Sequence, residues 1–85
     1  MINKQDFIDQ NEDVISEELN SSLSHIIPKL KKNGFFQSQL SYACAPGIVI
    51  EVQRRLHKKL YDHGWVAEID FLSSITSSEL HIKVY

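Results

Sequence analysis

The sequence predicts an α+β fold of two layers, in the order helix, strand, helix, strand, strand. Three observations carry that expectation. Apolar residues recur mostly at three- and four-residue spacing over 8–30 and again over 49–60, the period of a buried helical stripe. They alternate with polar residues over 36–43, 65–72 and 79–85, the period of a half-buried strand. The chain has 85 residues, which is room for one core. The expected arrangement is a single domain, residues 1–85, with a three-stranded mixed sheet packed by two helices on one face.

The first helix opens at Asn3, whose side chain can cap it, with Asp6 near the positive end of the helix dipole. Ile2 and Phe7 are spaced for a hydrophobic staple across that cap. The stripe runs through Ile8, Ile15, Leu19, Leu23, Ile26 or Ile27, and Leu30. Asn11-Glu12-Asp13 interrupts it and offers a second N-cap, which would split a short leading helix from a longer one. Pro28 removes one backbone donor near the end. Lys29, Lys31 and Lys32 suit the negative C-terminal end, and Gly34 suits a left-handed cap.

The first strand, Phe36 to Ala43, sets Phe36, Leu40 and Tyr42 on one face with Ser38 between them. Pro46 fits the first position of the second helix, where its missing donor costs nothing. Val49, Val52, Leu56 and Leu60 form that helix's stripe, and Glu51 lies four residues before Arg55, the favourable order for an ion pair. Asp62-His63-Gly64 ends it. Trp65, Ala67, Ile69 and Phe71 share one face of the second strand; Leu80, Ile82 and Val84 share one face of the third. The serine-rich loop over 73–78 makes a hairpin of these two, with Glu68 and Asp70 near His81 and Lys83 on the outer face. The strand–helix–strand segment is expected to be a right-handed parallel crossover.

Composition narrows the function classes. Hydrophobic and charged contents of 42% and 24% are those of a folded domain. The net charge of −2 gives no global attraction to nucleic acid or acidic lipid. One cysteine, Cys44, allows no internal disulfide, and residues 1–6 lack the regions of a signal peptide, so a cytoplasmic setting is expected. Apolar runs such as Ile48-Val49-Ile50 are only a few residues long, so no membrane association is expected.

No residue pattern argues for catalysis. Cys44 precedes a helix N-terminus, but a phosphatase-type loop needs an arginine at position 50, which is Ile50, and a CxxC pair needs a second cysteine. The four histidines, His25, His57, His63 and His81, do not have metal-site spacing, so neither a metal nor a cofactor is expected. Charge distribution is more informative. Residues 1–27 carry six acidic side chains against Lys4, while residues 28–63 carry seven lysines and arginines against Glu51 and Asp62. Asp9, Glu12, Asp13, Glu17 and Glu18 therefore form a candidate surface for a basic protein partner. The alternative is the basic helix, whose Arg54, Arg55, Lys58 and Lys59 could meet nucleic-acid phosphates, with Lys29, Lys31 and Lys32 extending the patch, although the acidic first helix offers these residues an intramolecular counterpart. A domain this small has a thin core, which favours a homo-oligomer. A virion or assembly component is a third class.

The segment Leu60-Tyr61-Asp62-His63-Gly64-Trp65-Val66-Ala67, followed by a hairpin ending in Leu80-His81-Ile82-Lys83-Val84, is similar to many short accessory proteins of tailed bacteriophages. The likeness spans roughly Pro46 to Tyr85. It implies a virus-encoded accessory or host-takeover protein acting in bacterial cytoplasm, and it carries no functional residues across. The element order also resembles part of the C-terminal domain of the bacterial third translation initiation factor, a fold with an additional leading strand.

Overall fold

The structure, a computed structural model, describes residues 1–74 and 77–85. The helices are α1 (Lys4–Gln10), α2 (Glu12–Asn33) and α3 (Pro46–Asp62); the strands are β1 (Phe36–Tyr42), β2 (Ala67–Ser73) and β3 (Ser78–Val84). The class is α+β, and the order α2, β1, α3, β2, β3 is the expected one. A third helix arises because the chain breaks at Asn11. The Asn3 carboxamide caps α1 by accepting from the Gln5 and Asp6 amides. At the other end Asn11 donates from Nδ2 to the Phe7 carbonyl at 2.8 Å, closing α1 as α2 begins. The longer helix continues through Pro28 and ends at Gly34, whose φ of 66° is left-handed.

The sheet order β1-β3-β2 corrects the expected mixed sheet. Both neighbouring pairs are antiparallel. The crossover strands β1 and β2 run in the same direction, but β3 lies between them rather than at an edge. Burial accords with this order. β3 is the most deeply buried strand, with Ser78, Leu80, Ile82 and Val84 all buried, as its central place requires. Polar β1 and acidic β2 take the edges, where backbone and side chains keep contact with water. Registers align Phe36, Val84 and Ala67 on the helix-facing side, and Gln37, Lys83 and Glu68 on the open side. The charge pairing expected between β2 and β3 is present as Glu68 opposite Lys83 and Asp70 opposite His81.

The helix layer covers one face, with α2 packed beside β1 and α3 over β2 and β3. Ile15 and Ile26 of α2 and Val49, Val52 and Leu56 of α3 are completely buried. Between the two candidates for the stripe, Ile26 enters the core and Ile27 is exposed. The hairpin loop includes residues 75 and 76, which lie outside the described residues. No described helix is long and apolar enough to cross a membrane.

Candidate interaction site

The acidic and basic segments meet where Arg55 bridges Glu12 of α2 to Glu51. This residue lies on the buried side of α3, with 3% of its side chain exposed. It accepts from Arg54 Nε at 2.8 Å and Arg54 Nη2 at 2.6 Å, and from Arg55 Nε at 3.0 Å. The remaining fork of Arg55 grips Glu12, with Nη1–Oε1 at 2.8 Å and Nη2–Oε2 at 2.7 Å. A buried carboxylate needs such donors, because its charge is costly to remove from water otherwise. Hydrogen bonds from Arg54, then from Arg55, outweigh desolvation and hold the Glu51 carboxyl at about 2. The Arg55 fork likewise lowers Glu12, and Glu12 followed by Glu51 raises Arg55.

This network changes the standing of both candidate surfaces. Arg54 and Arg55 spend their planar forks on internal carboxylates, and Lys58 pairs with Asp62 at 3.1 Å. Glu12 is withdrawn from the acidic set in the same way. Asp13 and Glu17 are exposed, and Asp9 accepts from Gln5 Nε2 at 2.9 Å. Among the described residues, none of Asp9, Asp13, Glu17 and Glu18 forms a salt bridge. The sequence contained the Glu51–Arg55 spacing and offered the acidic first helix as a counterpart, but did not single out Glu12, which lies 43 residues from Arg55.

Glu18 is half-buried beside a hydroxyl pair. Ser22 Oγ donates to the Glu18 carbonyl at 2.9 Å, which leaves it to accept from the Tyr42 hydroxyl at 2.6 Å. Burial raises the Tyr42 hydroxyl's pKa, and it raises the Cys44 thiol with further help from the Glu18 charge. That direction makes the Cys44 thiolate scarcer, the opposite of an activated nucleophile. His25, His57 and His63 are exposed and apart in sequence, while His81 Nε2 lies 3.1 Å from Glu79. Among the described residues no three potential ligands gather around one point.

Lys59, the last of the basic set, borders an apolar groove of about 270 Å³ between the C-terminal ends of α2 and α3. Leu23, Leu30, Leu60 and Trp65 line it, with Lys31 and His63. A smaller groove of about 190 Å³ runs between α2 and β1, lined by Glu18, Ser21, Ser22 and His25 and by four consecutive strand residues, Gln39 to Tyr42. Sequence reasoning missed this second groove, because periodicity gives the faces of β1 and α2 but not how they sit beside each other. Comparisons with protein families, with characterised proteins and with solved structures find no match to the chain.

Proposed function

We propose that this chain is a non-enzymatic protein-binding module that engages a basic partner through the exposed acidic ridge of α1 and α2. Asp9, Asp13 and Glu17 form the ridge, and Glu18 adjoins it. The observation that supports this reading is the unequal use of charge. The arginines that would serve phosphate binding are held by Glu51 and Glu12, whereas the ridge carboxylates have no ion-pair partner among the described residues. Unpaired like charges on one face repel one another and are relieved when an oppositely charged surface covers them. The residue pattern shared with phage accessory proteins is the support for a bacterial host protein as the partner.

The test is a tagged pull-down from bacterial lysate with mass spectrometry, with and without nuclease, using the wild type and an Asp13→Lys/Glu17→Lys variant. A stoichiometric partner that resists nuclease and is lost on charge reversal is the expected result. Retention by the reversed variant would remove the acidic ridge from the interface. A nuclease-sensitive set of partners would move the reading to the basic helix and nucleic acid.

A further inference from the structure

We propose that the free edge of β1 accepts an extended basic polypeptide segment as a fourth strand, in the slot between β1 and α2. This rests on the protein-binding reading and gives it a binding mode.

The slot follows from a mismatch in layer widths. Adjacent strands lie about 4.8 Å apart, whereas packed helices lie about 8–10 Å apart. Two helices are thus wider than three strands by roughly one strand. With α3 over β2 and β3 and α2 beside β1, the surplus falls on the β1 side. Two observations agree. Ser38 is on the helix-facing side, in register with Ile82 and, across it, Ile69, yet it is exposed. Consecutive residues Gln39 to Tyr42, which alternate between the two faces of the sheet, line one groove together with α2, and they can do so only at the strand's edge.

The edge itself is open to pairing. Natural sheets commonly guard their edges with charge, proline, bulges or covering groups. β2 carries Glu68 and Asp70, and Gln53 Nε2 of α3 donates to its Ile69 carbonyl at 2.7 Å. β1 reads Phe-Gln-Ser-Gln-Leu-Ser-Tyr, with no charge and no proline. Among the described residues its backbone hydrogen-bonds to β3 alone. An added strand would satisfy the outward-facing donors and acceptors, as in other strand-addition complexes.

The slot also selects its occupant. Glu18 is the carboxylate of its lining, beside Ser21, Ser22 and His25, so a lysine or arginine side chain of the incoming strand would be favoured there. A second copy fits poorly. Pairing β1 with its own twin would bring two α2 helices over neighbouring strands, closer than helices can pack.

The experiment is an NMR titration of the intact chain with an alternating Thr-Lys nonapeptide. A Thr-Glu counterpart and a Thr-Lys peptide N-methylated at alternate amides serve as the controls. Shift changes along β1 and the facing side of α2, slowed exchange of alternate β1 amides, and affinity at least ~10-fold weaker for both controls are expected. Shifts confined to Asp9, Asp13 and Glu17 and indifferent to N-methylation would overturn strand addition while leaving the acidic ridge standing. No shift at low salt would overturn both. Protection of β1 that grows with protein concentration and needs no peptide would assign the edge to a second copy and overturn the proposal.

Discussion

Replacing Glu51 by glutamine tests whether the charge network stabilises the fold or merely decorates it. The substitution keeps the shape and one acceptor oxygen but removes the charge that two arginines share. In the folded chain the Glu51 carboxyl is lowered from 4.5 to about 2. A shift of that size corresponds to a ceiling of about 3 kcal/mol. Arg54 is 60% exposed, so solvent screens part of that interaction, and a loss of about 2 kcal/mol is expected. The sign follows from the direction of the shift. A depressed carboxyl contributes its full stability above its unfolded value near 4.5 and loses it as pH falls towards about 2. Urea unfolding of the wild type and Glu51→Gln at several pH values measures this directly, since urea leaves ion pairs unscreened. The gap between the two proteins should be widest near neutrality and close as the pH is lowered towards 2. A gap that stays constant over that range would refute the electrostatic account and leave only packing. No gap at neutral pH would refute the stabilising role itself.

Two further outcomes concern the core and the thiol. Leu56 is completely buried between α3 and the sheet layer, and Leu56→Ala should destabilise by about 3 kcal/mol in urea unfolding; a loss under about 1 kcal/mol would mean the site collapses to fill its cavity. Cys44 should react with a disulfide reagent more slowly than a free cysteine at the same mildly alkaline pH, because burial raises its pKa. Faster reaction would contradict that direction and reopen a role for the thiolate.

The helices and strands were legible because each depends on local periodicity. The stripe through Ile15, Leu23 and Leu30, the alternation in Leu80, Ile82 and Val84, the cap at Asn3 and the stop at Gly34 are all short-range patterns, and each occupies the place those patterns imply. The acidic and basic segments were legible as composition and as possible counterparts, but the residues that pair were not. Arg54 and Arg55 read as a free basic face until α2 and α3 are packed and Glu12 and Glu51 close on them.

Sheet order was decided in the same way. Alternation says which residues share a face, but it does not say which strand is central. Here the central place goes to β3, whose Leu80, Ile82 and Val84 are buried while the charged face of β2 stays at an edge. β1 is an edge in either order; what packing adds is the slot beside α2, which brings Glu18 beside a strand with no protecting charge. Sequence by itself determined the elements, their inward faces and the uneven charge of this protein. Only tertiary packing decided which charges are used internally and which backbone edge remains free, because both depend on contacts between residues far apart in the chain.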